Sequence, residues 1–162
     1  MNCFCGKDAL LPLGDKVWCR GCFIEQVERR IKLVLRDNKF DRGDKVLVVG
    51  NVAAFAVKKI VNMPVELTFS DTMREGYDAV VIQWTLDDEC VAFFEQTSFQ
   101  AIKLFLHLRD SEVAAYAQLL GLSFTPREKN PLWTEFLAHA APDMMYNLLK
   151  NVEEMRKITS KM

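Results

Sequence analysis

The sequence predicts an α/β protein in which a doubly wound parallel sheet follows a small metal-binding segment. From residue 45 onward, short apolar runs typical of buried strands alternate with segments whose apolar residues recur at helical spacing. The first 22 residues instead hold four of the five cysteines. With 162 residues, 50% of them apolar and 27% charged, the chain is long enough for one hydrophobic core and too short for two full domains.

The cysteines form two close pairs, Cys3-Phe-Cys5 and Cys19-Arg-Gly-Cys22, with 13 residues between the pairs. Two such pairs supply the four thiolates of a tetrahedral zinc site without a large core. We therefore predict one structural zinc bound by Cys3, Cys5, Cys19 and Cys22, with no open coordination position and no catalytic role. The alternative is four buried or fortuitous cysteines. The N-terminus has no secretory pattern, so we expect a cytoplasmic protein. Disulfides are rare in that compartment, and five cysteines there call for a metal or a chemical explanation.

A helix is predicted from Phe23 to about Arg36, where Ile24, Val27 and Ile31 recur at spacings of three and four. Residues 1–45 carry ten Lys/Arg against seven Asp/Glu, a local charge of +3 in a chain of net charge −1. If a nucleic-acid surface exists, we expect it here, and a solvated helix face is the alternative. The candidate RNA-binding residues are Lys16, Arg20, Arg29, Arg30, Lys32 and Arg36.

The α/β part begins with a strand at 45–50, a continuous β-branched run that ends in glycine. Later segments alternate with short connections, and Gly121 is a stop signal for the helix before it. We divide the chain into a zinc knuckle at 1–22, a connecting helix and turn at 23–44, and an α/β domain at 45–162. The other expected elements are helices at 52–61, 87–96, 111–120, 131–139 and 142–156, and strands at 65–69, 77–82 and 102–108.

The first strand-to-helix turn is where such sheets usually bind phosphate. Here it reads Gly50-Asn-Val-Ala-Ala-Phe-Ala, with one glycine, no serine or threonine, and no lysine before Lys58. A phosphate cradle needs small residues whose backbone N–H groups converge on the anion, and we expect Val52 and Phe55 to fill that space instead. We therefore do not expect ATP to bind well.

The order of motifs resembles the PP-loop tRNA 2-thiolation family, the cytosolic thiouridylases. The resemblance rests on the cysteine knuckle with Cys-Arg-x-Cys-Phe-Ile, the charged helix, and Gly-Asp-Lys-Val-Leu-Val. It continues at Leu86-Asp-Asp-Glu89, at Ser111-Glu-Val-Ala-Ala-Tyr-Ala117 with Gly121-Leu122, and at Ala141-Pro-Asp-Met-Met-Tyr-Asn-Leu-Leu149. It implies a Rossmann-like sheet of the adenine nucleotide alpha hydrolase type and a cytoplasmic role in thiolating the wobble uridine of tRNA.

The chain departs from that family at the residues that carry catalysis. The family's ATP loop, Ser-Gly-Gly-x-Asp-Ser, is missing around Gly50–Ala54, and beyond the knuckle Cys90 is the one remaining cysteine. A C-terminal zinc knuckle is absent at 126–131, and the segment between Ser70 and Leu86 is short for the family. The pattern is similar to the degenerate second subunit of the thiolation complex. That similarity implies a pseudoenzyme that forms a heterodimer with a catalytic PP-loop thiolase paralogue and contacts tRNA.

Several residues leave alternatives open. Gly50, Asn51, Asp87 and Asp88 mark the degenerate nucleotide crevice, but the two aspartates are equally explained as caps of a helix N-terminus. Cys90 is either a buried small side chain or the nucleophile of a divergent sulfurtransferase. A third hypothesis is a stand-alone zinc-knuckle RNA-binding or scaffold protein. Self-association into a homodimer stays open, and no membrane partner is expected because no segment approaches the roughly 20 apolar residues of a membrane span.

Overall fold

The computed structural model describes residues 2–159 and contains two sheets. A short antiparallel hairpin precedes a four-stranded parallel sheet with helices. In chain order the elements are β1 Leu11–Leu13, β2 Lys16–Trp18, α1 Arg20–Asp37, β3 Lys45–Val49, α2 Asn51–Ile60, β4 Glu66–Ser70, β5 Ala79–Thr85, α3 Leu86–Phe94, β6 Ile102–Phe105, α4 Asp110–Leu119, α5 Pro131–His139 and α6 Pro142–Thr159. The predicted parallel α/β fold is confirmed.

The parallel sheet has the strand order β4-β3-β5-β6. Strand β3 lies between β4 and β5, and three of its residues, Val46, Leu47 and Val48, are fully buried. A buried parallel strand needs apolar side chains on both faces, which explains the continuous β-branched run. Because the chain passes from β3 to β4 on one side and to β5 on the other, the crevice of this fold lies beyond the carboxyl ends of β3 and β5.

Some element boundaries differ from the sequence-based expectation. The hairpin of β1 and β2 was not expected, because strands of three residues carry too little periodicity to detect. Strand β5 extends to Thr85 rather than to residue 82, so it runs directly into α3. Strand β6 ends at Phe105, where backbone hydrogen bonds Leu106 N to Lys103 O and Leu108 N to Phe105 O turn the chain.

Helix α1 belongs to the core of the sheet. Its residues Phe23, Val27 and Ile31 are fully buried in one cluster with side chains of β3, α2, β6 and α4. A second, smaller core joins α3 to α5 and α6 around Leu86 and Met145. Among residues 2–159, no helix is long and apolar enough to span a bilayer.

Candidate metal centre and crevice

The four N-terminal cysteines converge on one point. Their Sγ atoms all lie within 4.8 Å of one another, and those of Cys5 and Cys19 are 3.5 Å apart. Cys3 and Cys5 lie in a turn closed by the hydrogen bond from Gly6 N to Cys3 O at 2.8 Å, and Gly6 has φ 82°. Cys19 precedes α1 and Cys22 lies in its first turn. The predicted ligand set is therefore brought together.

The thiols perturb one another's protonation. Backbone hydrogen bonds, from Cys19 first and then Cys5, lower the pKa of Cys3 to about 6. Hydrogen bonds from the neighbouring sulfurs, led by Cys19, raise the pKa of Cys22 to about 12. Sulfurs this close do not all ionise unless a cation offsets their repulsion. Four convergent thiols are a site that could bind a metal ion.

A buried carboxylate of the sheet domain binds the hairpin that lies beside the metal centre. Glu112 of α4 is 6% exposed and accepts hydrogen bonds from Gly14 N at 2.7 Å and from Arg109 N at 2.8 Å. Gly14 lies in the hairpin turn between β1 and β2, 98 positions away in sequence. Nothing in the local sequence identified Glu112, because its partners are determined by how distant elements pack.

The structure changes the role of one predicted RNA-binding residue. The Arg30 side chain is 27% exposed and lies 3.8 Å from Glu112. It also donates to the carbonyl of His107 at 3.0 Å and to the hydroxyl of Tyr146 in α6. Arg30 therefore joins α1 to α4 and α6 and is not a free surface cation.

The other basic candidates are exposed but differ in their contacts. Arg20 donates to the carbonyl of Leu119 at 2.9 Å, and the Nζ of Lys16 lies 5.7 Å from the ring centroid of Phe4. Arg36 forms an exposed ion pair with Asp37 at 3.5 Å. The remaining two, Arg29 and Lys32, are exposed on α1.

The turn after β3 holds a side chain where this fold would hold a phosphate. The Oε1 atom of Gln83 accepts hydrogen bonds from the backbone N–H groups of Val52 at 2.7 Å and Ala53 at 2.9 Å. Gly50 has φ 104°, and a Cβ there would lie 2.3 Å from Cδ of Gln83. Val52 and Phe55 were expected to fill this space, but Val52 is fully buried in the core and Phe55 is half-buried on α2. Gln83 occupies the space instead.

Little room for a ligand remains beside this turn. A cavity of about 220 Å³, lined by Gly50 and Asn51 together with Phe69, Ser70 and Asp71 among others, opens at the ends of β3 and β4. It is smaller than the roughly 300 Å³ at which ligand pockets begin. Asn51 donates to the carbonyl of Ser123 at 2.7 Å. The cavity beside this turn is therefore small, and the N–H groups of Val52 and Ala53 and the side-chain amide of Asn51 already have partners within the protein.

The aspartates of α3 serve as caps and as ion-pair partners. Asp88 closes a capping box with Thr85, and its Oδ1 lies 2.8 Å from Lys129 Nζ. Asp87 pairs with Arg109 at 3.2 Å and accepts from the backbone N–H of Asp110 at 2.7 Å. Burial raises the pKa of Asp87, because water no longer stabilises its charge. Of the two interpretations, capping fits Asp88, and Asp87 ties α3 to α4.

Trp84 and Cys90 are core residues. Trp84 is 6% exposed, donates to Glu89 at 2.9 Å, and stacks on Phe99 with centroids 5.7 Å apart. Cys90 is 2% exposed, and burial, followed by the charges of Asp87 and Glu89, raises its pKa to about 12. A thiol this deep is protonated at neutral pH and out of reach of a substrate.

Comparison with known proteins finds similarity in structure and none in sequence. No family model matches the chain, and no curated protein matches it. Solved structures with this fold include the U34-tRNA thiolase NcsA from Methanococcus maripaludis, determined with its 4Fe-4S cluster. The two chains align with a TM-score of 0.61 at 15% identity, over 96% of this chain and 88% of that one. At that identity the likeness establishes the shared fold.

Proposed function

We propose that the chain is a non-catalytic subunit of a cytoplasmic complex that 2-thiolates the wobble uridine of tRNA. In this proposal it pairs with an active PP-loop thiolase and helps to bind the tRNA. The observation that carries it is Gln83, whose amide oxygen bonds to the N–H groups of Val52 and Ala53 in a fold shared with a U34-tRNA thiolase.

Three observations support a non-catalytic role in this proposal. A helix N-terminus binds phosphate through its free N–H groups and positive dipole end, and here Gln83 already uses two of those groups. Asp71 lines the same small cavity and would repel a nucleotide. Sulfur transfer would also need a reactive thiol, and Cys90 is buried. The divergent sulfurtransferase is therefore the least supported of the three hypotheses.

We propose zinc as the metal of the cysteine centre. A zinc–sulfur bond of about 2.3 Å places tetrahedral ligands about 3.8 Å apart, which fits four sulfurs that all lie within 4.8 Å of one another. A 4Fe-4S cluster is larger than one ion and needs its own set of cysteines. Cys90 is the one further cysteine in the sequence, so the chain does not have ligands for both groups. The zinc would hold the turn of Cys3 and Cys5 and the start of α1 together.

The tRNA surface in this proposal is the exposed face around Lys16, Arg29 and Lys32. A few exposed cations contribute modest, salt-dependent affinity for phosphates. The exposed Glu25 on the same helix weakens it further, whereas Glu28 is paired with Lys59. We therefore expect the chain alone to bind tRNA poorly, and the partner's basic surface to act together with this one.

The test is complementation of cells that lack the chain. We expect these cells to lose 2-thiouridine, measured by mass spectrometry of tRNA hydrolysates, and both the wild-type chain and Cys90→Ser to restore it. Affinity purification of the tagged chain should recover a PP-loop thiolase and tRNA. If Cys90→Ser were present at the normal protein level and did not restore 2-thiouridine, the divergent sulfurtransferase would be favoured. Unchanged thiouridine in the deletion, with RNA still recovered, would favour a stand-alone zinc-knuckle RNA-binding protein.

A further inference from the structure

A groove of about 360 Å³ lies at the end of the sheet opposite the crevice. It is formed where α1 and α2 end, and its lining includes Leu35, Phe40, Ile60 and Met63. Helix α2 starts at the carboxyl end of β3 and runs back, so its last turn lies near the amino ends of the strands. The backbone bond from Gly43 N to Pro64 O, 2.9 Å long, joins the loops beside it.

The floor of the groove is apolar. Leu35 and Phe40 are 8% and 7% exposed, and Met63 is 42% exposed at the mouth. The volume is enough to receive one large apolar side chain, whose burial from water favours binding. Because Phe40 is buried, the groove offers no exposed ring face on which an RNA base could stack.

The rim of the groove is basic. Arg36 and Lys39 are both exposed lining residues, and no acidic side chain among residues 2–159 lines the groove. The Arg36 side chain is 70% exposed, so its ion pair with the equally accessible Asp37 is weak.

We propose that this groove docks a segment of a partner protein that inserts one large apolar side chain and places acidic residues against Arg36 and Lys39. Charge complementarity selects the occupant, since an apolar floor beside two exposed cations matches an apolar anchor flanked by carboxylates. An RNA would satisfy the cations and leave the apolar floor empty. The site is separate from the crevice and from the metal centre, so this inference does not depend on the proposed tRNA function.

The experiment is a selection of phage-displayed random 12-residue peptides on the full-length, zinc-loaded chain. We expect enrichment of a Leu, Phe, Trp or Met flanked by Asp or Glu. Enriched peptides are then synthesised with a fluorophore, and binding is measured by anisotropy. The double variant Arg36→Glu/Lys39→Glu should weaken binding roughly tenfold or more. The matched control, Lys7→Glu/Lys150→Glu, changes net charge equally at exposed positions elsewhere and should bind as the wild type does.

A second variant separates the anchor from the charge. Met63→Lys adds a positive charge and removes apolar surface at the mouth of the groove, so it should weaken binding roughly tenfold if the anchor is needed. If Met63→Lys bound the peptides more strongly, charge attraction alone would explain the binding without an apolar anchor, and the proposal would be overturned. Enriched peptides without acidic residues, or an equal loss in the control variant, would also overturn it. So would binding of a single-stranded oligoribonucleotide that depends on Met63 while no peptide does.

Discussion

Replacing Glu112 with alanine should destabilise the whole chain and loosen the metal centre. The carboxylate accepts from Gly14 N at 2.7 Å and Arg109 N at 2.8 Å, and Arg30 lies 3.8 Å away. Each hydrogen bond to a charged group contributes about 1.5–3 kcal/mol. Gly14 and Arg109 are only half-buried, so water replaces part of the loss. The lower end of the range, about 3 kcal/mol for the two bonds, is therefore the expected cost.

The assay is thermal unfolding of the zinc-loaded protein followed by circular dichroism. For a domain of this size, 1 kcal/mol corresponds to about 2–4 °C, so Glu112→Ala should lower the Tm by about 6–12 °C. Glu112→Gln keeps one acceptor oxygen and should fall between alanine and wild type. Zinc release to a chromogenic chelator should be faster in Glu112→Ala, because Gly14 lies in the hairpin whose second strand ends directly before Cys19.

The matched control is Glu25→Ala, which removes an exposed glutamate from α1. Surface substitutions of this kind stay within about 0.5 kcal/mol of wild type. A Tm for Glu112→Ala within about 2 °C of the control would refute the reasoning. If Glu112→Ala were destabilised but released zinc no faster than the wild type, the stability argument would stand and the link to the metal centre would be refuted.

Three further predictions concern the metal, the crevice and pH. Protein purified without chelator should contain about one zinc per chain, and Cys19→Ser should contain far less by elemental analysis, because a tetrahedral site loses one of four ligands. Gln83→Ala should cost about 1 kcal/mol in denaturant unfolding, since it uncaps α2, and calorimetry of the wild type should detect no ATP binding tighter than roughly millimolar. Burial lowers the pKa of His107 from its usual 6.5. The charge of Glu153 raises this pKa, and the charge of Arg30 lowers it further. The neutral form is therefore favoured in the folded state, so stability should fall as pH drops below about 6.5, and His107→Gln should flatten that part of the pH profile.

The sequence alone was sufficient wherever the signal is local. The β-branched run at Lys45–Val49 identified the central strand, because a strand buried on both faces must be apolar throughout. The spacing of Cys3, Cys5, Cys19 and Cys22 predicted that their sulfurs would meet, because each pair lies within one turn of chain. Both patterns lie within short stretches of the chain and can be read without knowing its neighbours in space.

Tertiary structure decided which side chains meet across the molecule. Gln83 lies 31 positions from Val52, and it reaches the start of α2 because β3 and β5 are neighbours in the sheet. Glu112 accepts a hydrogen bond from Gly14, 98 positions away in sequence, and the Arg30 side chain of α1 lies beside the same carboxylate. A single sequence gives periodicity and spacing but not strand order or helix packing. For this reason the sequence predicted a phosphate space filled by Val52 and Phe55 and a solvated or RNA-binding basic helix. Only the packing showed that Gln83 bonds to the loop and that Arg30 bonds to neighbouring elements.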